Sequence, residues 1–265
     1  MRLTVLGSGS VHGAPVLGCE CAACYRARNH IEYARAETSA LLEEDGFRIV
    51  IDAGLPNLQD YFSKFSLDNI LLTHYHMDHV MGLFKLRWGC NRTISVIGPD
   101  DTEGCGDLFK HPGILDFKQK AVAFKRFELG PFQITPLPLE HSKLTYGYFI
   151  ESIYDNSQNL AYLTDTVGLS DEVTRFLQKK EIGLAIIDAS EPPRDEPPRN
   201  HNDLTMALNI HDQIQPVNSV LTHIGHELDV WFEENPISLP NNVTVARDGQ
   251  SYHLGIEEKL CHVSS

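Results

Sequence analysis

No apolar run in this sequence approaches the roughly 20 residues that a membrane-crossing helix needs, which excludes a helical membrane protein. The opening MRLTVLGSGSVHG lacks the basic-then-apolar pattern of a secretory signal, so a cytoplasmic location is expected. Positive charge is scarce as well: Lys+Arg number 22 against 36 Asp+Glu, a formal net charge of -14. Such a surface repels nucleic acid, free phosphates and anionic membranes. No nucleic-acid or membrane partner is therefore expected, and an anionic substrate would need positive charge from another source. With 42% hydrophobic and 22% charged residues the chain is not disordered, and 265 residues can bury roughly three quarters of the extended-chain surface.

What the sequence does have is 13 His, 6 Cys and many short β-branched runs. RLTVLGSG, TSALLEE, FRIVIDAG, NILLTH and TISVIG fill much of residues 2–98, and FQITPLPLEH, YGYFIES, NLAYLTD, LAIIDAS and VNSVLTH follow. They read as strands, several ending at Gly, His or Asp, which puts chemistry at strand ends. Helices are expected over 56–65, 78–88, 170–180 and 204–214, with Ser170 capping the third and Asp203 preceding the fourth. Consecutive strands joined by turns such as EEDG at 43–46 suit mixed sheets with helices outside, an α/β protein. No linker divides the chain, so residues 1–253 are expected to form one domain and 254–265 a loosely held tail. The prolines of SEPPRDEPPRNHND, 190–203, indicate an extended surface loop. ILLTHYHMDH and SVLTHIGHELD echo one another faintly, as though two halves each delivered histidines to a shared cleft.

HYHMDH at 74–79 packs three imidazoles and a carboxylate into six residues directly after a strand. Alternate residues of an extended segment share a face, so His74 and His76 can grip one ion while the turn into a helix brings Asp78 and His79 toward a second. Two ions about 3.5 to 4 Å apart lower the pKa of a shared water to roughly 7 and clamp both oxygens of a displacement at phosphorus, which makes a hydrolase the expectation. A second group, Cys19, Cys21 and Cys24, has the C-x-C-x2-C spacing of a structural zinc site; its fourth ligand is open among His12, His30 and His226. Cys90, Cys105 and Cys261 have no such grouping.

The T-H-x-H-x-D-H motif after a strand, with GSGS near the start, IDAG at 51–54 and later lone His, Asp and His at strand ends, resembles the metallo-β-lactamase superfamily. The resemblance spans nearly the whole chain. It implies a four-layer αββα sandwich of two mixed β-sheets, with His74, His76 and His141 on one metal, Asp78, His79 and His223 on the other, and Asp165 bridging. Asp52 reads as a partner orienting a ligand histidine, and Asp188 as either such an acid or a turn residue. Together with the cysteine trio, a histidine three residues beyond His223 resembles the PhnP-type phosphoribosyl cyclic phosphodiesterases of phosphonate breakdown. That likeness implies hydrolysis of 5-phospho-α-D-ribosyl 1,2-cyclic phosphate to ribose 1,5-bisphosphate. It further implies two catalytic divalent metals (Mn²⁺ favoured, Zn²⁺ possible), one structural Zn²⁺ on Cys19, Cys21, Cys24 and His226, and a homodimer. His201 would be the general acid and would act with Asp78. Lys143, Tyr146, Arg194 and Arg199 are open candidates for the 5-phosphate. The rival readings are a tRNA 3′-processing endonuclease, a hydrolase of lactams, lactones or thioesters, and a zinc-stabilised scaffold without activity.

Overall fold

The structure, a computed structural model, describes residues 1–62, 66–155, 157–196, 198–236 and 239–254. Its elements are β1 (Arg2–Gly7), α1 (Ala22–Asn29), β2 (Ser39–Glu44), β3 (Phe47–Ile51), α2 (Leu58–Tyr61), β4 (Asn69–Leu71), α3 (Met77–Val80), α4 (Leu83–Leu86), β5 (Ile94–Ile97), α5 (Gly106–Lys110) and β6 (Leu115–Asp116). Then come β7 (Phe127–Leu129), β8 (Phe132–Leu139), β9 (Thr145–Ser152), β10 (Asn159–Leu163), α6 (Asp171–Leu177), β11 (Leu184–Asp188), α7 (Leu204–Ile214), β12 (Asn218–Thr222), α8 (His226–Glu234), β13 (Val243–Val245) and β14 (Ser251–His253).

Two seven-stranded sheets result, ordered β14-β1-β2-β3-β4-β5-β6 and β13-β12-β11-β10-β9-β8-β7. Each is antiparallel at one end and parallel at the other: β3 to β6 run parallel in the first, and β10 to β13 in the second. Side chains alternate across each strand. Ile49, Ile51 and Leu71 therefore meet Ile134, Tyr148 and Ile186 in a core between the sheets. Val50, Ile70 and Leu72 pack outward beneath Leu58, Leu83 and Leu108, while Ala161, Ile187 and Leu221 pack beneath Val173, Ala207 and Leu228. Three cores separating four layers are the expected αββα sandwich of two mixed sheets.

Helices α6 and α7 form where expected, Ser170 and Asp203 accepting from Val173 N at 3.4 Å and Met206 N at 2.8 Å. The helix expected over 78–88 is instead two short ones, α3 and α4. Gly82 N donates to Ala53 O at 2.8 Å rather than back along the helix, and a Cβ on Gly82 would stand 2.4 Å from Leu55 O. Of the helix expected over 56–65 only α2 forms among the described residues. The echo between 70–79 and 219–229 falls on non-equivalent strands: by position in the two sheets β4 corresponds to β11, and β12 to β5. Of the expected tail, Leu254 is buried and donates to Met1 O at 3.1 Å; 255–265 lie outside the described residues. Among the described residues no helix is long and apolar enough to cross a membrane.

Candidate metal centre

The parallel strands of both sheets end at one cleft. Behind β3, Asp52 turns the chain at a φ of 58°, and behind β12 His223 does so at 59°, a left-handed conformation that costs a residue with a side chain about 1 to 3 kcal/mol and is retained at functional sites. Gly54 is required by a close approach: a Cβ there would lie 2.2 Å from Asp78 O, so the IDAG turn seats the backbone of α3.

The residues singled out in the sequence come together as two groups. Nε2 of His74 and of His141 lie 2.9 and 3.0 Å from Nδ1 of His76. In the second group Asp78 Oδ2 lies 3.6 Å from His79 Nε2 and 3.5 Å from His223 Nε2. Asp165 stands between them, its Oδ2 3.2 Å from His79 Nε2, 3.7 Å from His74 Nε2 and 3.9 Å from His141 Nε2, its Oδ1 3.5 Å from His223 Nε2. Donors about 2.0 to 2.2 Å from one cation are themselves about 3 to 3.5 Å apart, so both groups have the spacing of a ligand set. Nε2 of His79 and of His223 are buried without a hydrogen-bond partner. Buried polar atoms are rarely left so, and lone pairs aimed at carboxylates fit a cation between them.

Contacts on the far side of three of these imidazoles, His79, His141 and His223, fix their tautomers. His79 Nδ1 lies 2.9 Å from Asp52 Oδ2, and Asp52 also accepts from Thr73 N at 2.8 Å and Thr73 Oγ1 at 2.9 Å. His141 Nδ1 donates to Asn200 O at 2.8 Å, and His223 Nδ1 to Ser190 Oγ at 2.7 Å, which passes its own proton to Asp188 Oδ1 at 2.8 Å. A ring that donates from one nitrogen presents the other as a lone pair, the arrangement a metal needs. Asp52 thus stands in contact with His79, where a partner that orients it would stand, and Asp188 holds Ser190 and His201 rather than only closing a turn. Thr73 opens the T-H-x-H-x-D-H motif, but its contact with Asp52 is not legible there, and Ser190 stands in no motif because a Ser beside a strand-end Asp carries no pattern of its own.

His201 lies beside this centre with Nδ1 3.1 Å from Asp188 Oδ2, its ring stacked on His223 at 4.5 Å. Burial pushes its pKa down, but the Asp188 carboxylate more than reverses that and carries it up to about 9. Burial also raises Asp165, yet the attraction of His223 and His79 prevails and holds it well below the usual carboxylate range. Of the four phosphate candidates, Tyr146 is a correction: it packs in the core between the sheets, because β9 alternates it inward with Tyr148. Lys143 pairs with Asp101 at 3.5 Å, Arg194 with Glu191 at 2.8 Å, and Arg199 is exposed.

A third cluster joins Cys19, Cys21, Cys24 and His226, whose ligand atoms all lie within 4.8 Å of one another. Cys19 and Cys21 Sγ stand 3.7 and 3.4 Å from His226 Nδ1, near the edges of about 3.3 to 3.8 Å of a tetrahedron with zinc–ligand bonds of 2.0 to 2.3 Å. Burial pushes Cys24 up to about 11, and the neighbouring thiols add to the rise, so ionised sulfurs here call for a cation. His226 is therefore the fourth member; His12 and His30 stand apart from the group. Cys90 is exposed, Cys105 half-buried, and Cys261 lies outside the described residues.

A family model described as beta-lactamase superfamily domain matches residues 47–224. With the αββα sandwich and the clustered imidazoles and carboxylates, the chain belongs to the metallo-β-lactamase superfamily. Among curated proteins it is 31% identical over 258 residues to an octanoyltransferase of Porphyromonas gingivalis, covering 94% of this chain but 51% of that one, so it spans about half of that relative's length. Among solved structures, one described as a new diphosphatase from the PhnP family superposes with a TM-score of 0.78 at 27% identity, over 95% of this chain and 97% of that one. The short form of human tRNase Z superposes at 0.68 with 17% identity, over 97% and 100%, and shares the fold.

Proposed function

We propose that this hydrolase of metallo-β-lactamase fold cleaves phosphoric diesters of small phosphorylated sugars, and that 5-phospho-α-D-ribosyl 1,2-cyclic phosphate, opened to ribose 1,5-bisphosphate in phosphonate catabolism, is its substrate. The observation that carries the reading is the pair of buried, unpartnered Nε2 atoms of His79 and His223 beside Asp78 and Asp165, with His201 held against them by Asp188. Likeness to the PhnP-family diphosphatase over almost the full length supports chemistry at phosphorus. His74, His76 and His141 would hold one divalent cation and Asp78, His79 and His223 a second, with Asp165 shared. Such a pair supplies charge neutralisation at phosphorus and a water that ionises near neutral pH. Mn²⁺ in that pair, Zn²⁺ at the cysteine cluster, a homodimer and a cytoplasmic location belong to the same proposal.

The chain's own residues define the rest of the reaction. Asp188 anchors Nδ1 of His201, which leaves Nε2 as the nitrogen that exchanges a proton. When water adds to phosphorus and the P–O bond to the sugar breaks, the departing alkoxide takes that proton; a positioned acid of this kind contributes about a hundredfold to ten-thousandfold. Asp52, Asn200 O and Ser190 keep the ligand imidazoles in one tautomer. Protein carrying a net charge of -14 repels long polyanions, which disfavours precursor tRNA as substrate.

The test offers metal-loaded protein 5-phosphoribosyl 1,2-cyclic phosphate, an organic diphosphate, precursor tRNA, an octanoyl thioester and a lactam. Hydrolysis of the cyclic phosphate with a loss of about a hundredfold or more in His201→Ala, cations retained, is the expected result. Turnover confined to the tRNA, the thioester or the lactam overturns the assignment.

A further inference from the structure

His12, freed from the cysteine cluster by His226, has a place of its own. The turn after β1 is pinned to the strand end that carries His223: Ile224 N donates to Ser8 O at 2.9 Å, Ser10 N to Ile224 O at 3.2 Å, and Gly13 N closes the turn on Ser10 O at 2.8 Å. His12 sits at the tip of that turn and lines a cavity of about 180 Å³ together with Ser10, Ser190, Glu191, His201, Glu227 and the metal-centre residue His223. Among the described residues His12 makes no hydrogen bond or ion pair, so its imidazole is available to a ligand.

The cavity's chemistry is specific. It shares His201 with the metal centre, so whatever receives the proton of His201 extends into it. No lysine or arginine lines it among the described residues, and Glu191 and Glu227 do. The two carboxylates accept hydrogen bonds from a sugar's hydroxyls and repel a second phosphate. The cavity's volume lies below the about 300 Å³ and upward of pockets for larger ligands, which suits a single ring.

We propose that His12 is a substrate-binding residue that donates a hydrogen bond to a hydroxyl of the leaving group, an uncharged polyol ring seated in this cavity, and that any further phosphate of the substrate lies outside it. The proposal rests on the hydrolase reading for its substrate, but not for its measurement. Manganese-loaded wild type, His12→Ala and His12→Gln are titrated calorimetrically with D-ribose 1-phosphate and with inorganic phosphate. Wild type should bind the sugar phosphate more tightly than phosphate. His12→Ala should weaken the sugar phosphate about three- to tenfold, the worth of one neutral hydrogen bond, and leave phosphate unchanged, while His12→Gln, which keeps an N–H donor, restores affinity. In turnover of the cyclic phosphate, His12→Ala should raise KM by the same factor and lower kcat by less. Equal affinity of wild type for the two ligands, equal weakening of both by His12→Ala, no weakening, or no recovery with His12→Gln overturns the assignment. The expected binding pattern without turnover of any phosphodiester would uphold His12 and overturn the hydrolase reading alone.

Discussion

Replacing Asp52 with Asn tests the logic of the metal centre without touching a ligand. The carboxylate is fully buried and meets three donors, Thr73 N, Thr73 Oγ1 and His79 Nδ1, at 2.8 to 2.9 Å. Asparagine is nearly isosteric but must aim its NH₂ at one of them. Aimed at His79, it favours the tautomer with the proton on Nε2, the very atom that faces Asp78 and Asp165. Aimed at Thr73, it strands a buried backbone N–H, at about 1 to 3 kcal/mol. Either way, cation affinity at the imidazole and carboxylate centre should fall about 10- to 100-fold. That is about 1.4 to 2.8 kcal/mol at 1.4 kcal/mol per decade. An ion at the cysteine cluster should be unaffected and serves as the internal reference. Competition between metal-free protein and a chromogenic chelator measures the affinity, with circular dichroism and the thermal midpoint checking the fold. Wild-type affinity in a correctly folded variant would refute the claim that Asp52 sets the tautomer of His79.

Other expectations follow from single contacts. Arg35 and Asp229, both buried, pair through two hydrogen bonds of 2.6 and 2.9 Å; Asp229→Ala leaves the guanidinium uncompensated and should cost about 3 to 5 kcal/mol, read as a lower denaturant midpoint. Gly54→Ala forces a methyl into Asp78 O and should cost about 1 to 3 kcal/mol while weakening cation binding, measured in the same chelator assay. His226→Ala should lower bound zinc by one ion per chain in elemental analysis with the other sites still filled. Asp155 accepts from Gln158 Nε2, Ser157 N and Ser157 Oγ, which lowers its pKa to about 2. A depressed carboxyl contributes stability above its unfolded value of 3.8 that is lost as pH falls toward 2, so its carboxyl carbon resonance should titrate near 2; a midpoint at 3.8 would contradict those contacts.

How much could be read beforehand depended on whether the residues that meet are neighbours in sequence. His74, His76, Asp78 and His79 stand within six positions, and strand periodicity alone shows how they can converge. His141, Asp165 and His223 end ordinary strands, and only family likeness marks them; the two-sheet topology is what brings them within 4 Å of the first group. Helices α1 and α8 are not legible in the sequence, because α1 buries only Ala23, Cys24 and Ala27 and α8 only Leu228 and Asp229, leaving no long apolar stripe to detect. The break in 78–88 is not legible locally because the interruption at Gly82 comes from Ala53, 29 positions earlier. Tyr146 looked like a phosphate contact only because it follows His141 closely in sequence, whereas β9 turns it inward.

The centre draws its donors from both sheets: His74, His76, Asp78 and His79 follow β4, while His141, Asp165 and His223 follow β8, β10 and β12. A cation gripped from both sides is thus a rivet through the sandwich, added to an apolar, non-directional core and to the few hydrogen bonds that cross it, such as that from Tyr148 Oη to Leu72 O. Free ion at a hundred times its dissociation constant would add about 2.7 kcal/mol to the resistance of the whole molecule to unfolding. Starved of metal, the protein would lose mechanical coherence along with catalysis, and ion supply would govern its lifetime as well as its rate.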